Sequence, residues 1–184
     1  HLFAGSWFDN GVLSGNAAAG VFLMRAAGVG DDDIRRAFMS FSPLPHRMKK
    51  IASIDGVDFI DDSKATSLRA LAAGVEMCGS NVRLIAGGRA KGDDPNSVAG
   101  VLTARVKKVY IIGECADAFF SSWSGSVDCE ICQTMQRAVE TARREAVKGD
   151  TVLLSPGTAS FDQYANFNER GEAFADLVKK GKKT

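Results

Sequence analysis

The chain has 184 residues, enough for one good domain and a smaller appendage, with 45 % hydrophobic and 24 % charged residues in the ordinary range for a globular protein. A formal net charge of +1 leaves no polyanion-binding footprint, which argues against nucleic acid as a partner. The apolar runs are too short to span a bilayer and no signal-peptide pattern opens the chain, so a cytoplasmic protein without membrane insertion is expected.

The first residue is His1, consistent with a processed chain or a piece of a longer one. Asn16 to Ala27 has helical composition and closes on Gly28. A second helix follows, with Asp31 to Asp33 complementing its positive end and Ile34, Phe38 and Phe41 sharing a face. Two prolines in "SPLPHR" then block continuation, and a boundary is expected near Pro43–His46. Residues 1–43 therefore read as one helical segment and 44–184 as another unit. Val21, Phe22, Met24, Phe38 and Phe41 give that segment an apolar face, so it is expected either to be mobile or to cover that face by association.

Beyond the prolines the rhythm changes. Strands over Met48–Ile54 and Val57–Asp61 flank the turn signal Asp55-Gly56, which predicts a hairpin. Apolar, β-rich runs then alternate with helical ones: "VRLIAGG" before a helix at Ser97–Arg105, "KVYIIG" before "CADAFFSSW", "VDCEIC" before Thr134–Val147, and "DTVLLS" before a helix around Phe167–Lys180. This alternation predicts an α/β fold of the Rossmann-like kind, with a mainly parallel sheet covered by helices. A short basic tail, Lys179 to Lys183, closes the chain.

In such sheets ligands sit beyond the carboxyl ends of the strands. "DDSKAT", "GGRAKGDD", "GEC" and "SPGTASFDQ" follow four of the predicted strands and are expected side by side on one rim. In the first, Thr66 or Ser63 can cap the next helix, whose start offers free N–H groups to an anion beside Lys64. Asp62 can accept from sugar hydroxyls or a cation; a capped helix with a solvated lysine is the plainer alternative. The second is glycine-rich and carries Arg89 and Lys91, suited to a carboxylate or phosphate. It lacks the ending of a Walker A loop, and the chain has no G-x-G-x-x-G fingerprint. The last offers Ser155, Thr158 and Ser160 near a helix start, without a G-x-S-x-G elbow or a nearby histidine to activate a serine. Cys129 and Cys132 form a C-x-x-C, but with no second pair and only His1 and His46 a zinc set is hard to assemble, so reduced thiols in a cytosolic protein are expected. These residues indicate a site for a small anionic substrate, with no nucleophile, general base or metal ligand identifiable.

"LPHR", "GVDFIDDSKAT", "LIAGGRAKGDD" and "GDTVLLSPGTASFDQYANFNERGEAF", in that order from Leu44 onward, resemble the Mur ligase family of amide ligases in peptidoglycan-precursor synthesis. "DSKAT" is similar to the D-glutamate-adding branch rather than to other Mur ligases or folylpolyglutamate synthases. The resemblance implies a carboxy-terminal α/β domain preceded by a helical remnant of the ATP-binding domain. It implies activation of the carboxylate of UDP-N-acetylmuramoyl-L-alanine by ATP and Mg2+ as an acyl phosphate, which the amine of D-glutamate attacks. By the same resemblance Thr66, Lys91, Ser160 and the main chain at Phe161 and Phe167 would hold D-glutamate. Arg47, Asp62 and Lys64 would face the nucleotide, and Asn16 the adenine, although Val12 and Leu13 stand where the family has a His-Asn pair. Asp61 stands where asparagine is common and Thr158 where cysteine is. The family's P-loop has no counterpart in these residues, so this chain alone is expected to be inactive and to bind no cofactor tightly. A non-catalytic anion-binding module, or a domain of a related amide ligase, is the rival reading.

Overall fold

The computed structural model describes residues 1–180; of the basic tail, Lys182 and Lys183 lie outside the described residues. The chain divides into two compact units, His1–Leu44 and Pro45–Thr184.

The first unit holds two helices, α1 (Ser14–Ala26) and α2 (Asp31–Ser40). Its apolar face is more fully covered from within than its composition suggests. Phe3, Ala17, Ile34 and Phe38 form a small core, and Val21 and Met24 pack against it. The segment before α1 supplies the cover: Phe3 and Phe8 pack against Phe38, and Trp7 and Phe8 pack at a tilt against Phe41. Phe22 and Leu23 remain mostly exposed.

The second unit is a six-stranded sheet with helices on both faces. Its strands are β1 (Lys49–Ile54), β2 (Val57–Asp61), β3 (Val82–Gly87), β4 (Val106–Ile112), β5 (Asp128–Gln133) and β6 (Thr151–Leu154), in the order β1-β2-β6-β3-β4-β5. Of these strands β1 alone runs antiparallel, joined to β2 by a turn in which Asp55 and Gly56 both have positive φ (53° and 77°), the backbone that two-residue hairpins require. The remaining neighbours pair in parallel. α3 (Leu68–Cys78), α4 (Ala99–Arg105) and α5 (Ala116–Trp123) cover the face that carries Leu84, Val109, Ile111 and Leu153. α6 (Met135–Glu145) and α7 (Phe167–Lys180) cover Ile85, Tyr110, Ile112, Val152 and Leu154 on the other. The central strands are thus buried on both sides, which explains why they read as unbroken apolar runs.

Several local expectations shift. The helix predicted over Ser97–Arg105 opens with a 3-10 turn at Pro95–Val98, capped by the Asp94 carboxylate, before α4 begins. Neither Thr66 nor Ser63 caps α3. Ser67 does, its hydroxyl accepting from Ala70 N at 3.3 Å. The C-x-x-C lies on β5 with Cys129 on the α3–α5 face and Cys132 on the α6–α7 face, so the two thiols point away from each other. Burial pushes both thiols up to about 11.

Candidate functional site

Because β2, β6, β3 and β4 are adjacent and parallel, the loops after them emerge side by side at one edge. They are also bonded to one another. Asp62 N donates to Leu154 O (2.8 Å) and Gly157 N to Ala65 O (2.9 Å), joining the β2 and β6 loops. Gly87 N donates to Pro156 O (2.9 Å), and Arg89 and Ala159 exchange two backbone bonds (3.0 and 3.1 Å), joining the β6 and β3 loops. Cys115 N donates to Gly88 O (3.0 Å), bringing in the loop after β4. The rim is one stitched backbone rather than four independent loops.

The charges of "DDSKAT" divide between inside and outside. Asp61 is buried; its Oδ1 accepts from Ser63 N (2.9 Å) and its Oδ2 meets His46 Nδ1 (2.7 Å). The ring of His46 lies against α7 at Gly171, where a Cβ would collide with Nδ1. Asp62 is 7 % exposed and also turned inward, with Oδ2 accepting from Ser155 Oγ (2.9 Å) and Oδ1 from Met48 N (3.3 Å). Burial pushes its carboxyl up to about 7, with the Asp61 charge adding to the rise against the Ser155 and Met48 hydrogen bonds. The paired carboxylates therefore fold the loop and tie it to the residues just before β1. Arg47, exposed between His46 and Met48, is displayed by that arrangement, its two neighbours both at positive φ.

Lys64 and Thr66 face outward from this frame. Both are half-buried, and the ammonium of Lys64 lies over the Phe167 ring, 3.8 Å from its centroid. Phe167 opens α7, and its carbonyl accepts from Ser63 Oγ (2.8 Å). Lys91 is exposed on the β3 loop. Arg89, by contrast, is engaged by Glu114 at 2.9 Å. In the β6 loop Ser155 is committed to Asp62, Ser160 is buried with its carbonyl accepting from Tyr164 N (2.8 Å), and the Phe161 ring is exposed.

Of the residues singled out from sequence, Thr66, Lys64, Lys91, Ser160, Phe161 and Phe167 thus belong to this edge or to the helix start beside it. Asp62 belongs to its foundation. Asn16 lies in the first unit, on an exposed turn of α1. Two functional-looking residues are not legible in the sequence. His46 reads there as part of a linker. Arg170 is buried in the first turn of α7, although a cation there opposes the helix dipole, and that misfit is the available signal. Among the described residues, no group of three or more His, Cys, Asp or Glu side chains is arranged to hold a metal ion.

Residues 46–158 match the family described as "Mur ligase, glutamate ligase domain". The UDP-N-acetylmuramoylalanine--D-glutamate ligase of Chlorobium phaeobacteroides is 40 % identical over 163 residues, covering 89 % of this chain and 35 % of the relative. That of Chlamydia caviae is 41 % identical over 143 residues, covering 78 % and 34 %. The chain thus spans about a third of the length of the curated relatives it matches. Among solved structures, the UDP-N-acetylmuramate-alanine ligase MurC of Thermotoga maritima superposes with a TM-score of 0.68 at 12 % identity, over 91 % of this chain and 37 % of that one. Escherichia coli FolC in complex with ADP gives 0.62 at 20 %, over 90 % and 39 %. These two similarities establish the α/β fold.

Proposed function

Since the chain belongs to the Mur ligase family through its glutamate ligase domain, we propose that it presents D-glutamate to an activated carboxylate in an ATP-dependent amide ligase acting on UDP-N-acetylmuramoyl-L-alanine. In that reaction ATP phosphorylates the acceptor carboxylate and leaves as ADP. The amine of D-glutamate then attacks the acyl phosphate, the C–O bond to phosphate breaks, and the amide and inorganic phosphate are released. The relatives of 40 % identity support this reading, and the stitched rim carries it.

A dicarboxylic amino acid requires cations and donors that are fixed before it arrives, because side chains ordered on binding reduce affinity. Lys91 and the hydroxyls of Thr66 and Ser160, with the main chain at Phe161 and Phe167, are the groups we assign to its two carboxylates. Arg47 and Lys64 are assigned to the nucleotide, as charges that suit phosphate. Asp62, hydrogen-bonded inward, serves the nucleotide side by holding the backbone at Met48 next to Arg47. Asn16 is assigned to the adenine by its family position alone. The chemistry that Mg2+ supplies in such ligases is neutralisation of phosphate charge. Among the described residues no group of three or more His, Cys, Asp or Glu side chains is gathered for the ion, and the roles assigned here to these residues do not pass through it.

The test is Lys91→Met in the full-length ligase that contains this sequence. Loss of a charge-assisted hydrogen bond of about 1.5–3 kcal/mol raises the KM for D-glutamate about ten- to a hundredfold. The KM for ATP is unchanged within about twofold. A D-glutamate KM within about twofold of wild type refutes the assignment.

A further inference from the structure

Arg170 is 1 % exposed, and among the described residues no carboxylate bonds to it. Its Nε donates to Ser63 Oγ (3.0 Å), and its Nη2 donates to the carbonyls of Ser63 (2.9 Å) and Thr158 (3.1 Å). Nη1 is buried without a partner among the described residues, and so is the nearby Thr158 Oγ1. Both atoms border Gly88: a Cβ built there would lie 2.7 Å from Thr158 Oγ1 and 3.3 Å from Arg170 Nη1. The φ of 135° at Gly88, together with this crowding, reserves the position for glycine.

One side chain therefore reaches the root of every element assigned to the amino acid. Ser63 precedes Thr66 in the β2 loop, Gly88 precedes Lys91 in the β3 loop, Thr158 precedes Ser160 in the β6 loop, and Arg170 shares the first turn of α7 with Phe167. As a structural tie alone this residue is a poor choice. A buried cation without an ion partner is unfavourable, and one at a helix start opposes the dipole. A neutral donor at those carbonyls would carry neither drawback. Burial lowers the guanidinium to about 10, against the through-space pull of Asp162, Tyr164 and Asp61, which leaves it charged at neutral pH. What only the cation adds is a fixed positive charge beneath the rim, offset in part by the carboxylates of Asp162 and Asp61.

We propose that Arg170 is a positioning residue for the amino-acid substrate. Its fork braces the loops and contributes to stability, and it is the buried charge that acts on the substrate, attracting the carboxylates of a dicarboxylic amino acid to those loops. This rests on the ligase reading above.

The experiment compares wild type, Arg170→Lys and Arg170→Gln in the full-length ligase, with D-glutamate and ATP varied separately and a thermal melt of each protein. Arg170→Gln raises the KM for D-glutamate about tenfold or more while the KM for ATP stays within about twofold. Arg170→Lys loses the fork, and melting temperature with it, yet keeps the KM for D-glutamate within about threefold because the charge remains. Equal rises in both variants, or a KM for ATP that moves in step, overturn the proposal, since a plain cross-link predicts either. Should Arg170→Gln not fold, Arg170→Lys decides: a rise of about tenfold in the KM for D-glutamate overturns the role, and retention within about threefold supports it. Wild-type turnover independent of D-glutamate would refute the ligase reading before any variant is compared, and this role with it.

Discussion

The ammonium of Lys64 rests on the face of the Phe167 ring, 3.8 Å from the centroid, while the carbonyl of the same phenylalanine is held by Ser63 Oγ at 2.8 Å. Phe167 thus orients a lysine assigned to the nucleotide from a helix start assigned to the amino acid. A cation–π contact at such a half-exposed site contributes about 0.5–2 kcal/mol. Phe167→Leu therefore raises the KM for ATP about two- to tenfold in the full-length ligase, although the ring is not assigned to ATP. Phe167→Tyr keeps the aromatic face and stays near wild type. Equal ATP kinetics in Phe167→Leu and wild type would show that the ring does not orient Lys64.

Asp62 makes stability fall as pH rises. Its carboxyl titrates near 7 in the folded protein against a usual value of 3.8, so the folded state holds the proton across a range in which the unfolded chain has lost it. Between about pH 4 and pH 7 this costs up to about 1.4 kcal/mol per pH unit, and above that range the full cost persists. The amide introduced by Asp62→Asn has no such proton to lose, and it can still serve Met48 N and Ser155 Oγ.

For that variant, urea unfolding at pH 5 and pH 8 gives the check. The stability of Asp62→Asn relative to wild type increases by about 1–3 kcal/mol between the two pH values. A difference that is the same at both would mean that Asp62 ionises normally in the folded state.

Asp150 has the opposite sign. It is buried at the start of β6, with Oδ2 2.7 Å from Arg83 Nε and Oδ1 2.6 Å from Lys107 Nζ. Burial pushes its carboxyl up, but the hydrogen bonds from Lys107 and Arg83 outweigh that and hold it below the usual carboxylate range. Its stabilisation is therefore complete above the usual carboxylate pKa and is lost as pH falls through the lower, folded value. Asp150→Ala takes the buried carboxylate from Lys107 and leaves Arg83 only Glu145, at 3.6 Å, and destabilises the domain by about 1–3 kcal/mol at pH 7, read from denaturant midpoints. The deficit shrinks in strong acid. A loss of under about 0.5 kcal/mol at pH 7 would show the cluster to be a solvated surface network.

What the sequence determined by itself is local or repetitive. The Asp55-Gly56 turn, the prolines after α2 and the apolar strand runs act over a few residues, so the hairpin, the break and the alternation of strands with helices were legible. The rim was legible too, because parallel strands necessarily end on one side. Tertiary structure decided what depends on distant partners. Only the insertion of β6 between β2 and β3 brings Ser155 to Asp62, and only the packing of α7 brings Arg170 to Ser63, pairs separated by 93 and 107 residues. Before that pairing is known, Asp62 reads as an acceptor for a ligand, and Arg170 draws no notice. A charged side chain in a loop has no periodicity to reveal its direction, and the hydrogen-bond partners that the tertiary fold supplies turned these charges inward to hold the outward ones in place.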